Sequence, residues 1–284
     1  MLGAPALPEL RLARVPENLR PRFAGDRFSY MEAGPRDAPA LVLLHGLGAN
    51  SMHWRYQYAY LSDNFRLIGW NAPGYMLSDP FHAETPSGRD YAEAVLGLAQ
   101  ALGVERFHLL GNSFGSAVAQ CVAGYFPERV RRMALTGTGI GQRTLSAQGR
   151  ANMLVRARSI ENGSYAYGSG ELSQLFGPRV SQHKVELMRG VMRATNPAGL
   201  LAAVRFRSGN FCTLDLAPAM SMPVLLIQGG EDRVNRAEDN ADQLIRVLPR
   251  GRMERLEGLG HLPELEDPDT VNRLLREFFS SKQD

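Results

Sequence analysis

The stretch Leu109-Leu110-Gly111-Asn112-Ser113-Phe114-Gly115 constrains this chain more than any other. An apolar run from Phe107 to Leu110 enters Gly-Asn-Ser-Phe-Gly, and beyond it Ala117, Val118, Cys121 and Val122 recur at helical spacing. The pattern predicts a strand, a sharp turn and a helix. A serine at the centre of G-x-S-x-G in such a turn is forced into a strained backbone conformation, and small flanking residues keep strand and helix from colliding. Ser113 is then expected to stand exposed at the end of a sheet. Only three positions of the pattern are fixed, so a Gly-Ser turn without chemistry is the alternative until partners are found.

The rest of the chain alternates strand and helix signals. Arg22 to Ala33, around Gly25-Asp26, suits a hairpin, after an extended Pro-rich start over 1–24. Strands are expected at Ala40 to Leu44, Phe65 to Trp70, Arg132 to Thr136, Pro223 to Gln228 and Met253 to Leu256. Helices are expected over about Arg89 to Leu102, Ala237 to Leu248 and Asp269 to Phe279. Such alternation argues for an α/β fold with a mostly parallel sheet covered on both faces. About eighty residues separate two of its strands, too many for a loop. Within them Leu145 to Ile160, Lys184 to Thr195 and Pro197 to Arg207 look helical. The expected organisation is a core of residues 25–139 and 219–284, with a helical cap of residues 140–218 over the carboxyl edge of the sheet.

Composition excludes more than it assigns. The 284 residues carry a net charge of +3, but the basic residues are dispersed and almost all arginine, so no nucleic-acid footprint is expected. Cys121 and Cys212 suit buried free thiols better than a disulfide or a metal site. No stretch has the length of a signal-peptide core or a membrane span, so a cytoplasmic protein without a membrane partner is the default expectation. No metal cluster, phosphate loop or dinucleotide fingerprint appears, and no cofactor is expected. Sequence leaves the oligomeric state open.

A serine hydroxyl needs an adjacent base, itself oriented by a third group. Of six histidines, His45 sits in the glycine loop after Leu44, His53, His82 and His183 lie in loop or cap context, and His108 is inside the strand before Ser113. His261, by contrast, follows the last strand in a glycine-rich loop, Glu257-Gly258-Leu259-Gly260-His261-Leu262-Pro263. In a sheet with such a serine turn the acid lies between serine and histidine along the chain. The apolar run Val224 to Gln228 ends in Gly229-Gly230-Glu231-Asp232-Arg233, where two acids compete; Asp232, one position further from the strand, is preferred. Phe114, the first residue of the expected helix, offers a backbone N–H to an oxyanion.

With these motifs in order, the chain resembles the α/β-hydrolase superfamily, in its capped branch, over about residues 25 to 281. His45-Gly46-Leu47-Gly48 resembles the family's oxyanion loop, Gly111 to Gly115 its elbow, Gly229 to Asp232 its acid turn and Gly260-His261 its histidine loop. The resemblance implies Ser113 as nucleophile, His261 as general base and then acid, Asp232 as the group fixing the histidine tautomer, and the N–H of Leu47 as the second oxyanion donor. Many members carry Asp-x-x-Gly-x-Gly-x-Ser after the fourth strand, where this chain has Asn71, Gly74, Met76 and Ser78.

Serine at 113 separates the chain from the related haloalkane dehalogenases and epoxide hydrolases, which use aspartate there. A small or medium carboxylic ester is the expected substrate. Carbon-carbon hydrolases of ring-fission diketones are the runner-up: Asn50 and Asn112 sit where those enzymes also carry polar residues, and Arg205 or Arg207 suits a substrate carboxylate. Against them, the residue after His261 is Leu262 and not the tryptophan they often carry. A non-catalytic ligand receptor on the same fold is a third reading. Met153, Tyr165, Tyr167, Leu175, Phe176, Met188, Met192, Phe206 and Phe211 of the cap, with Trp54 and Tyr75, are candidates for an apolar pocket, of which about a third are expected to face ligand while the rest pack.

Overall fold

The computed structural model describes residues 4–141, 147–165, 172–209 and 211–281. Its eight strands are β1 (Leu10–Arg14), β2 (Arg27–Ala33), β3 (Ala40–Leu44), β4 (Arg66–Trp70), β5 (Phe107–Asn112), β6 (Val130–Thr136), β7 (Val224–Gly229) and β8 (Gly251–Leu256). They form one sheet in the order β1-β2-β4-β3-β5-β6-β7-β8, antiparallel at β1-β2-β4 and parallel beyond. The central strands β3, β5 and β7 are buried along their whole length, which is why they read as continuous apolar runs and not as alternations.

The period of two along these strands divides the core. Val42, Leu44, Leu109, Leu135 and Leu226 face α2 (Gly88–Ala101) and α3 (Phe114–Tyr125), while Leu41, Leu43, Leu110, Ala134 and Leu225 face α1 (Arg55–Leu61) and α9 (Pro268–Ser280). α3 is buried all round from Phe114 to Ala123, whereas α9 contributes one apolar stripe. On α9, Val271, Leu275, Phe278 and Phe279 recur at helical spacing and all are buried.

Three expectations need correction. The hairpin is not folded at Gly25-Asp26. Its arms are β1 and β2, in the register Leu10↔Met31 to Arg14↔Arg27, and Val15 N–H donates to Asp26 O at 2.7 Å to close a longer connection. Val15, Leu19 and Phe23 of that connection enter the main core, so the start of the chain belongs to the core and not to an extended segment before residue 25. The expected helix from Ala237 to Leu248 is broken at Asn240, leaving a single turn Ala237–Asp239 and α7 (Ala241–Ile245). The Asn240 side chain bonds Arg236 O and accepts from Ile140 N–H, offering the backbone an alternative to a continuous helix.

Between β6 and β7 the chain forms α4 (Ala147–Glu161), α5 (Gln182–Arg193) and α6 (Pro197–Ser208). Thr195 Oγ1 donates to Gly48 O at 2.5 Å, and Asn50 Nδ2 to Val191 O at 2.9 Å, tying this insert to the loop after β3. Gly199 lies against Gly74, where a Cβ on Gly199 would come within 2.5 Å of the Gly74 carbonyl.

Met76 holds a left-handed φ of 50° at a position where the family pattern has glycine, and its carbonyl accepts from Asn196 Nδ2. Its side chain belongs to none of the buried apolar clusters. A left-handed L-residue costs roughly 1–2 kcal/mol, partly offset in a glycine variant by ~0.5–1 kcal/mol of chain entropy. Met76→Gly is therefore expected to stabilise the fold by about 0.5–1 kcal/mol, read as a higher urea midpoint; a lower midpoint contradicts the strain.

Candidate active site

Ser113 occupies the turn between β5 and α3 with φ 53° and ψ −112°, in the left-handed half of backbone space. Its N–H donates to Thr136 O on the neighbouring β6 at 3.1 Å, so the sheet itself holds the serine in this conformation. The flanking glycines are required by clearance. A Cβ on Gly115 would lie 1.9 Å from Leu44 O, and one on Gly111 2.5 Å from Gly115 O. Local sequence thus dictates the tight crossing of strand and helix that presents the serine.

His261 Nδ1 is 2.9 Å from Asp232 Oδ2, with both side chains buried. The other carboxylate oxygen accepts from the N–H groups of Val234 and Asn235 at 2.8 and 2.9 Å, and Gln228 Nε2 approaches Oδ2 at 3.3 Å. Burial pushes the Asp232 carboxyl up, but the charge of His261, the hydrogen bond to it and the two backbone donors outweigh burial and hold it below its ordinary range. An ionised Asp232 accepts from Nδ1–H, which turns the other ring nitrogen, Nε2, towards the serine as a proton acceptor. Among the described residues the Ser113 hydroxyl has no hydrogen-bond partner; catalytic bonds of this kind commonly tighten only with substrate in place.

The loop after β3 is set by His45, which the sequence places in that loop without revealing what it does. His45 Nε2 accepts from Ala72 N–H at 3.2 Å, so its proton is on Nδ1, which donates to Gly46 O at 2.9 Å. Burial lowers its pKa to about 3, so the ring is neutral and keeps that tautomer. Gly46 O also accepts from Ala49 N–H at 3.0 Å. Because a trans peptide directs its C=O and N–H oppositely, fixing Gly46 O fixes the Leu47 N–H. Leu47 and Phe114 both line the cavity that holds Ser113. The signal for His45 lies in contacts with Ala72, 27 residues away, which spacing does not reveal.

A second unanticipated residue is Glu266 in α8 (Pro263–Glu266). Its Oε1 accepts from Gly260 N–H at 2.8 Å and its Oε2 from Gly177 N–H at 2.7 Å, so one carboxylate joins the histidine loop to the insert. Burial raises its pKa, with the two backbone donors acting in the opposite direction. His261 N–H donates to Leu175 O at 2.9 Å, and Asn112 Nδ2 to His261 O at 3.2 Å. Glu266→Gln retains one acceptor and turns an NH2 towards the other backbone N–H. We expect it to cost about 1.5–3 kcal/mol of stability and to lower kcat, checked by denaturation and steady-state kinetics on the same preparation; an unperturbed variant contradicts the joining role.

The cavity over Ser113 measures about 460 Å³. Of the residues expected to meet substrate, Asn112, Arg207 and Leu262 line it, together with Met153, Tyr165, Leu175, Met188 and Met192. Asn50, Trp54 and Phe206 do not, and the expectation for them is corrected. Asn50 caps the single turn Ser51–Trp54 and bonds Val191 O; Trp54 is wholly buried against α1 and the sheet; Phe206 packs edge-on to Phe114 and beside Tyr91. Phe176, Phe211 and Tyr75 likewise turn away from the cavity. Arg205 pairs with Glu84 and Glu161 and also stays outside. Tyr167 lies outside the described residues. A larger groove of about 1010 Å³ opens at the amino ends of the strands, lined by Arg36, Arg131, Arg132 and Arg250, remote from the serine. Among the described residues no three His, Cys, Asp or Glu side chains are grouped to hold a metal, and no helix is long and apolar enough to cross a membrane. Cys121 and Cys212 are free and buried.

The profile of the alpha/beta hydrolase family matches residues 41–274. Among similar proteins is a 2-hydroxy-6-oxo-6-phenylhexa-2,4-dienoate hydrolase of Comamonas testosteroni, 30% identical over 89% of this chain and 91% of the relative. An (E)-2-((N-methylformamido)methylene)succinate hydrolase of Acinetobacter baylyi is 26% identical over 87% of this chain and 92% of its own. Among solved structures, a thermophilic esterase from Thermogutta terrifontis superposes with a TM-score of 0.83 over 95% of this chain and 98% of the other, at 22% identity.

Proposed function

The chain belongs to the alpha/beta hydrolase family, and from that premise we propose that it is a serine hydrolase cleaving a small or medium carboxylic ester through an acyl-enzyme. The observation carrying this reading is the 2.9 Å contact of His261 Nδ1 with a buried Asp232, beside the cavity that Ser113 enters from a strained turn. Ser113 Oγ attacks the ester carbonyl carbon while His261 Nε2 takes its proton. The N–H groups of Leu47 and Phe114 receive the oxyanion, each such donor contributing ~3 kcal/mol to the transition state. Collapse breaks the bond to the alcohol oxygen, which leaves with the proton from His261. Water then attacks the acyl-enzyme by the same steps, releasing the acid and restoring Ser113.

Three helices of the insert form the cap of this reading; Met153, Leu175, Met188 and Met192 of the insert, with Leu262 of the histidine loop, supply the apolar wall of the cavity. Carbon-carbon bond hydrolysis of a ring-fission diketone is the second reading. It is favoured by the 30% identity to a hydrolase of a phenylhexadienoate and by Asn112 beside the nucleophile. In that reaction the same serine and histidine act on a ketone carbonyl and the leaving group is a stabilised carbanion, protonated as it departs.

The test sets p-nitrophenyl esters from acetate to decanoate against 2-hydroxy-6-oxo-6-phenylhexa-2,4-dienoate. Ester turnover with an optimum at short or medium chains is expected. Turnover of the dienoate with none on any ester replaces the first reading by the second. A folded protein inert to both leaves a non-catalytic ligand-binding member of the fold.

A further inference from the structure

Arg207 sits near the carboxyl end of α6 and lines the same cavity as Ser113 and His261. Its guanidinium is packed against Gly139, where a Cβ would lie 2.8 Å from Nη1, so glycine at 139 leaves the room that the arginine occupies. Arg207 as a whole is half-buried, but its Nη1 is out of contact with solvent and has no hydrogen-bond partner among the described residues. No carboxylate forms an ion pair with Arg207 among the described residues. Burial lowers its pKa to about 10, still far enough above neutrality to keep the charge. A desolvated cation without a counter-ion destabilises a fold, and such a residue persists where function requires it.

The remaining lining has the same sign. Arg156 and Arg233 also line the cavity, and none of its described lining residues is Asp or Glu. Arg156 is engaged with Tyr165, donating to its hydroxyl at 2.6 Å and lying over its ring, and Arg233 is exposed. That leaves Arg207, half-buried with its Nη1 out of solvent, as the donor without a partner among the described residues. An anion entering this space meets three cations and no repelling carboxylate.

We propose that Arg207 is a substrate-anchoring residue and that the physiological substrate carries a free carboxylate in addition to the bond cleaved at Ser113. The proposal rests on the hydrolase reading in one respect only, that the cavity of Ser113 is where substrate binds. A guanidinium presents paired N–H donors matching the two oxygens of a carboxylate, and a pair formed in a desolvated pocket is worth far more than one at the surface. Neutral esters then bind with the arginine unsatisfied, so the cavity selects half-esters of dicarboxylic acids, or acyl esters of hydroxy acids, over uncharged esters of the same length.

The experiment has a kinetic and a binding arm. In the first, kcat/KM is measured for mono-p-nitrophenyl glutarate, with the carboxylate on the acyl side, for 4-butyryloxybenzoate, with it on the alcohol side, and for neutral p-nitrophenyl butyrate. Wild type is expected to favour one charged ester over the neutral one by ~10-fold to 100-fold. Arg207→Met should collapse that ratio, and Arg207→Lys should restore part of it. In the second arm, glutarate is titrated calorimetrically into Ser113→Ala protein and into Ser113→Ala/Arg207→Met, with binding expected only in the first. Thermal melts add a readout that separates anchoring from structure: Arg207→Met removes an uncompensated buried charge and should melt no lower than wild type.

A preference for the charged ester that survives in Arg207→Met overturns the proposal, as does glutarate binding indifferent to residue 207. A clear drop in melting temperature with the ratio intact makes the arginine structural and overturns it too. If no ester is turned over at all, the hydrolase reading fails, and the calorimetric arm still decides whether Arg207 anchors a carboxylate.

Discussion

Ser113→Ala should lower kcat/KM on the best substrate by roughly ten-thousand-fold to a million-fold, since loss of the nucleophile leaves only the oxyanion donors and binding to act. The backbone conformation at 113 makes a more informative pair of variants available. Alanine at this position keeps the left-handed φ of 53° and its strain, whereas glycine adopts it freely. Ser113→Gly should be equally inactive yet about 1 kcal/mol more stable than Ser113→Ala. The measurement is a matched set of urea titrations with residual rates. Equal stability of the two variants would remove strain from the account of the turn, and surviving turnover in either would remove Ser113 from the role of nucleophile.

The second large effect is expected at Asp232. Asp232→Asn places an NH2 where His261 Nδ1–H donates at 2.9 Å, so the ring is driven to carry its proton on Nε2. It can then no longer take the serine proton, and kcat should fall by roughly 10,000-fold while the fold is retained. The Asn side-chain oxygen can still accept from the N–H groups of Val234 and Asn235.

Stability carries its own signature. The folded pKa of Asp232 lies below the ordinary 3.8, so its carboxylate contributes stability that is present above about that pH and is lost as pH falls through the folded value. Urea midpoints of wild type and Asp232→Asn should therefore differ most near neutrality and converge below pH 3.8. A gap that widens towards acid would reverse the sign and contradict the pairing.

Much of this arrangement was legible in the chain, and for a physical reason. The serine turn and the acid turn each follow a strand buried along its whole length, so apolar runs mark where they begin, while the histidine loop follows the more exposed β8 and is marked by its own glycines. The edge was harder to read. β1 has Leu12 half exposed and charged residues between its apolar ones, so Leu10–Arg14 lacks the apolar run that identified the central strands, and Gly25-Asp26 was a more conspicuous turn than the real closure by Val15.

The residues facing the cavity were legible only by class. Trp54 and Phe206 are near the right motifs but turn inward, a matter of helix phase and not of composition. His45 and Glu266 escaped because their work is done by single hydrogen bonds to residues distant in sequence, Ala72 and Gly177. No local pattern encodes such a bond.

The carboxylate of Glu266 has a consequence for how this scaffold can diversify. By clasping Gly177 and Gly260 together it makes the roof over the cavity and the mount of His261 a single mechanical part. Remodelling that side to admit a bulkier molecule will be felt first in proton transfer, before any gain in room. α4, whose Leu154 and Val155 are exposed and which has no described bond to the histidine loop, is where the enclosure can be recut without that penalty. Selection for new substrates should accordingly accumulate its early changes on α4, leaving the 175–177 turn and α8 as they are.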